Sequence, residues 1–92
     1  DIGAAAFIHE QLVRMTRDSG AGVLLISADL TELLKLSDSL LVMLGGEITA
    51  YFEDSSQINE LQLGEYMLGV QRMSPEEIHA KLFTAEEEGQ KL

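Results

Sequence analysis

In 92 residues the chain carries 16 acidic against six basic side chains, a formal net charge of −10, and no cysteine. That length allows a single domain with a marginal core, since folding a chain of this size buries only about 60% of the surface its unfolded form exposes. The imbalance runs through both parts, three basic against seven acidic residues in 1–50 and three against nine in 51–92, and it excludes nucleic acids and acidic membrane surfaces, which need a Lys/Arg patch.

Without thiols there is neither a disulfide framework nor a thiolate metal site, which fits a reducing compartment, with the cytoplasm as default. No run reaches the ~18 apolar residues of a membrane span. Asp1 opens the chain without an initiator Met, a basic n-region or an apolar signal core. The chain is therefore expected to begin mid-protein or to have been processed.

Residues 3–19 read as a helix: Ala5, Ile8, Leu12 and Met15 form one stripe at helical spacing while Arg14, Arg17 and Asp18 face water. Asp1 is placed to cap it, and Ser19-Gly20 to end it. In "GVLLIS" four apolar residues, Val23 to Ile26, follow one another without alternation, the pattern of a strand covered on both faces in a parallel sheet. Ser27-Ala28-Asp29 makes a turn into the short helix "LTELLKL", where Asp29 and Glu32 have capping-box spacing and Leu30, Leu33 and Leu34 point inward.

"SLLVML" repeats the buried-strand pattern. Gly45-Gly46 follows as a two-residue hairpin loop, and "EITAYF" alternates Ile48, Ala50 and Phe52 with Glu47, Thr49 and Tyr51, an edge strand with one wet face. "EDSSQIN" is a polar loop. A short helix is expected from about Glu60 to Leu68, packing through Leu61, Met67 and Leu68, with Gly64 weakening it by ~1 kcal/mol relative to Ala. Ser74-Pro75-Glu76-Glu77 then starts a last amphipathic helix carrying Ile78 and Leu82. The terminal "AEEEGQKL" is polar and expected to fray.

Two doubly apolar strands joined through a helix imply a right-handed parallel crossover and an α/β fold. The expected sheet has about three strands, two parallel plus the hairpin strand, with flanking helices. Those helices are too few to cover it, so further sheet is expected from a partner chain or a preceding region.

Candidate chemistry is sparse. No G-x-x-x-x-G-K-[ST] occurs, so no loop cradles phosphates. His9-Glu10 resembles the start of H-E-x-x-H, but Val13 stands where the second histidine is required. His9 and His79 therefore read as ordinary helix residues. The serines sit at caps and turns, without the His and acid of a nucleophilic site. Glu76-Glu77 and Glu86-Glu87-Glu88 lack the Asp and Gly pattern of a calcium loop and read as solvated surface, and the Met and Phe residues as core or interface filler. One place holds two readings. Ser27, Ala28 and Asp29 lie at the carboxyl end of the expected first strand, where open α/β sheets bind ligands; they are equally a strand-to-helix turn with its cap.

From "DIGAAAFIHEQLVRMTRDSGAGVLLISADLTELLKLSDSLLVMLGGEI" the chain resembles the stretch after Walker B in the ATP-binding subunits of ABC transporters, nearest to the second ATPase half of sugar and nucleoside importers. "LGEYMLG", Leu63 to Gly69, is similar to the short closing helix of those subunits. The resemblance covers residues 1–70 as the C-terminal part of an ABC ATPase domain, a partial P-loop NTPase-like sheet; residues 71–92 form a C-terminal helix and acidic tail outside it. It implies that Walker A, the Q-loop, the signature motif and Walker B lie upstream.

The resemblance further implies that Asp1 is the D-loop Asp at the ATPase dimer interface. The switch histidine of the H-loop falls on Ala28, flanked by Ser27 and Asp29. A methyl group neither donates nor accepts a hydrogen bond, which puts hydrolysis at that site in doubt. The implied partners are the rest of the ATPase subunit and the transporter's membrane subunits, at the inner face of the cell membrane; ATP and Mg belong to the parent protein, with no cofactor or metal site in this segment. The implied function is that of a C-terminal fragment of an importer ATPase, inactive alone and prone to self-association. The alternative is an independent acidic α/β interaction or regulatory module binding through "EITAYF" or its Leu-rich helices.

Overall fold

The structure, a computed structural model, describes residues 2–90, with side chains from Gly3 to Phe83. Its elements are α1 (Ile2–Asp18), α2 (Leu30–Leu36), β1 (Leu40–Leu44), β2 (Glu47–Phe52), a 3₁₀ turn at Ser55–Gln57, α3 (Glu60–Met67) and α4 (Pro75–Gln90). They fall into two compact units, residues 1–36 and 37–92.

In the first unit α1 ends as its sequence requires. Gly20 takes φ +70°, and the N–H groups of Ser19 and Ala21 both return to the Met15 carbonyl, capping by a left-handed residue that glycine adopts without steric cost. The expected stripe is largely open: Ala5, Ile8 and Met15 are exposed and Leu12 is half-buried. The "VLLIS" segment corrects the sequence reading. Residues 20–29 contain no strand, and Leu24 and Ile26 are 86% and 88% exposed. A strand is stabilised by the N–H and C=O groups of a neighbour, and among the described residues no strand pairs with this one. Among the described residues the parallel crossover is absent for the same reason. Among the described residues the α/β arrangement is four α-helices with one two-stranded antiparallel sheet.

In the second unit, Gly45 and Gly46 close the hairpin with φ of +59° and +80°, the paired positive values of a type I′ turn whose twist matches that of the strands. Leu40 pairs with Phe52, Leu41 with Tyr51 and Val42 with Ala50; beyond Val42 the register shifts, so that Met43 faces Ile48. Thr49 is the extra residue of a β-bulge. This breaks the expected alternation: Thr49, assigned to the wet face, is fully buried beside Ala50, whereas Ile48 is exposed. Its hydroxyl lies 3.4 Å from the Val42 carbonyl, and its own carbonyl accepts the Met73 N–H at 2.9 Å.

One face of the hairpin, Leu40, Val42 and Ala50, packs with Ile58, Leu63, Met73 and Ile78 as the core. Here α3 lies against β1 and α4 against β2, and Phe52 meets Tyr66 edge-to-face at 5.2 Å. Because cross-strand partners share a face, Leu41, Met43 and Ile48 lie together on the other one, and all three are exposed. Only one face of β1 is covered, not the two its apolar run implied.

The 3₁₀ turn interrupts the expected loop, with Asp54 accepting the Ser56 N–H and hydroxyl at 2.9 and 2.7 Å. Asn59 caps α3 with a full capping box, its Oδ1 accepting the Gln62 N–H at 2.8 Å while Gln62 Oε1 accepts the Asn59 N–H at 3.1 Å. The packing face of α3 also corrects the expectation. Leu63 is 1% exposed, while Leu61 and Leu68 are 75% and 80% exposed; of the three residues expected to pack, Met67 is half-buried. α4 begins as read: Ser74 Oγ accepts the Glu77 N–H at 3.1 Å, Pro75 is its first residue and Ile78 is buried. Its backbone is helical through Gln90, so the part of the terminal stretch up to Gln90 continues the helix; Lys91 and Leu92 lie outside the described residues.

Candidate functional site

The turn before α2 is built from short polar side chains that satisfy one another. Ser27 Oγ accepts the Asp29 N–H at 3.0 Å. Asp29 Oδ1 accepts the Glu32 N–H at 3.1 Å, and the Asp29 carbonyl accepts the Leu33 N–H at 3.0 Å. Asp29 is thus the N-cap, as its spacing indicated. The capping box, however, is only half made, because the Asp29 N–H already serves Ser27. The Glu32 carboxylate turns away and meets His9 Nε2 at 2.9 Å, with the two side chains 19% and 27% exposed. Ala28 sits exposed between the two polar residues, with nothing but a methyl group to present.

The structure therefore brings Ser27, Ala28 and Asp29 together as one turn. The remaining candidate, Asp1, lies outside the described residues, both as D-loop residue and as helix cap. His9, read as an ordinary helix residue, is instead tied to α2. No local pattern could have revealed this, since its partner is 23 positions away. His79 stacks on Phe83 one turn later, with ring centroids 4.6 Å apart.

Elsewhere the second unit holds a shallow groove of about 230 Å³, lined among others by Phe52, Gln57, Ile58, Gln62, Glu65 and Tyr66. That lies below the ~300–1,000 Å³ of small-molecule pockets, and the Gln62 amide oxygen is already spent on its cap. Among the described residues no three His, Cys, Asp or Glu side chains are grouped to hold a metal ion, and no helix is long and apolar enough to cross a membrane.

These features describe an α/β chain with a capped turn before α2, and sequence comparison supplies its class. By sequence the chain belongs with the ATP-binding subunits of ABC-type sugar and nucleoside importers. It is 41% identical over 64 residues, 70% of its length, to the ribose import ATP-binding protein RbsA 1 of Rubrobacter xylanophilus. It is 39% identical over 69 residues, 75% of its length, to the guanosine import ATP-binding protein NupO of Bacillus subtilis. Over 69 residues it is 36% identical to the nucleoside import ATP-binding protein NupA of Lactococcus lactis subsp. cremoris. The chain spans 13% of the length of each of these relatives. No family model and no solved structure matches it.

The phosphate-cradling G-x-x-x-x-G-K-[ST] loop associated with ATP and Mg in such a family does not occur in these 92 residues. Ser27 Oγ and Asp29 Oδ1 each accept a backbone N–H of the same turn, and the residue 28 side chain is a methyl group.

Proposed function

We propose that the chain is the C-terminal part of the ATP-hydrolysing subunit of an ABC-type importer for a sugar or nucleoside, with ATP and Mg held by parts of the subunit that precede it. The observation that carries this reading is the continuous sequence similarity, 36–41% identity over 64–69 residues, to ribose, guanosine and nucleoside import ATP-binding proteins. In this reading Asp1 closes the D-loop and Ala28 stands at the switch position, with Ser27 and Asp29 flanking it. The composite site it contributes to lacks a histidine to contact the γ-phosphate. The subunit works at the inner face of the membrane, docked on the transporter's membrane subunits. Alone the chain neither binds nor hydrolyses ATP.

The apolar surface each unit leaves open, Phe7, Ile8, Leu24 and Ile26 in the first and Leu41, Met43, Leu61 and Leu68 in the second, supports self-association of the isolated chain. Light scattering behind size exclusion then gives a dimer or larger species; a clean monomer at high concentration removes this part of the reading. The coding sequence immediately before Asp1 tests the whole. The reading requires an apolar strand ending in Asp-Glu and a short Gly- or Ser-containing loop there, and any other sequence overturns it.

A further inference from the structure

Glu32 is the third residue of a helix only seven residues long, too short to hold its own direction in water. The chain before it, residues 20–29, has no regular structure to steady it. In an ordinary capping box the carboxylate at this position folds back onto the N–H of the cap. Here Ser27 has taken that N–H at 3.0 Å, and the carboxylate reaches across to α1, where His9 Nε2 meets it at 2.9 Å. Both side chains are mostly sheltered from water, so the bond is less screened than the Glu10–Arg14 pair on the same helix, which is more than half exposed at both ends. The Glu32 backbone is at the same time bonded to Asp29. Through this one residue the His9 ring is linked to the cap and its turn.

We propose that His9 is the positioning residue of the Ser27–Asp29 turn, acting through Glu32. The chemistry sets a signature. An ionised carboxylate only accepts hydrogen bonds, so Nε2 carries the ring proton, and a neutral His9 is the Nε2–H tautomer. The link stands on geometry alone; its meaning for an importer, a rigid tie between the helix after the D-loop and the switch position, rests on the function proposed above.

The experiment is nuclear magnetic resonance on the isotope-labelled 92-residue chain. The ring nitrogen shifts of His9 are expected to report the Nε2–H tautomer. In His9→Ala the amide resonances of Ala28 and Asp29 move, and exchange at the Glu32 and Leu33 amides quickens about tenfold, the scale of losing one hydrogen bond to a charged group. His9→Gln, whose side-chain N–H lies at a similar reach, restores both, and Arg14→Ala disturbs neither. An Nδ1–H tautomer in the unmodified chain, or a His9→Gln turn that behaves like His9→Ala, overturns the proposal. So do amides at 27–33 that respond no more to His9→Ala than to Arg14→Ala. Should His9→Ala fail to fold, the tautomer and the His9→Gln spectrum decide. No nucleotide enters these measurements, so an unmoved turn removes the link and leaves the importer reading intact, while a wrong upstream sequence does the reverse.

Discussion

Replacing Gly69 by alanine separates two costs that the structure superimposes at one residue. Gly69 ends α3 at φ +80°, where its N–H meets the Tyr66 carbonyl and the Val70 and Gln71 N–H groups return to Glu65. A Cβ there would stand 2.8 Å from Leu44 Cδ2, about 0.7–1.2 Å inside the ordinary carbon–carbon separation. The left-handed conformation costs a Cβ-bearing residue about 1–2 kcal/mol. Leu44 is half-exposed and the atom concerned is the end of a flexible side chain, so the steric part should be relieved by rotation. Gly69→Ala is therefore expected to destabilise by about 1–2 kcal/mol, nearly all of it from the backbone. Urea unfolding followed by tyrosine fluorescence measures the loss, and the same substitution in a Leu44→Ala background measures the coupling. A coupling that recovers most of the loss would show crowding, not φ, to be the constraint. An unchanged midpoint would refute both.

The face of α3 can be checked by paired truncations: Leu63→Ala should cost about 2–5 kcal/mol, whereas Leu61→Ala should stay within about 0.5 kcal/mol of the parent. Asn59→Ala, which removes the acceptor of the Gln62 N–H, should cost about 1 kcal/mol in the same assay. The Ser56 hydroxyl and backbone N–H hold the Asp54 carboxyl below its ordinary pKa. The stability this gives is present above the ordinary aspartate value of about 3.9 and is lost as pH falls through the lower folded value. Asp54→Asn should remove that part of the acid sensitivity, which unfolding midpoints between pH 5 and pH 2 would reveal. Parallel curves for variant and parent would contradict it.

Elements whose signals are local were legible. Asp29 and Ser74 cap their helices, Gly20 ends α1 and Gly45-Gly46 turn the hairpin because each depends on residues within a few positions. Elements decided by distant partners were not. "VLLIS" has the composition of a strand but no neighbour to pair with, and the bulge at Thr49 arises only from the register between two strands. On α3 and at its C-cap, Leu61, Leu63 and Leu68 are equally apolar, and only the hairpin beside the helix selects Leu63. Asn59 and Gln62 are an exception, since their capping-box spacing stood in the sequence, masked by a loop rich in polar residues. Of the candidate site, the turn itself was readable and its tether to His9 was not, because no periodicity links positions 9 and 32.

Ala28 occupies an exposed place between two residues whose polar groups already secure the bend around it. Its side chain is exposed, so little packing constrains what stands there. A bulkier or ionisable group could be introduced, or withdrawn again, without rebuilding the neighbourhood. Substitution there meets fewer steric constraints than at the buried positions.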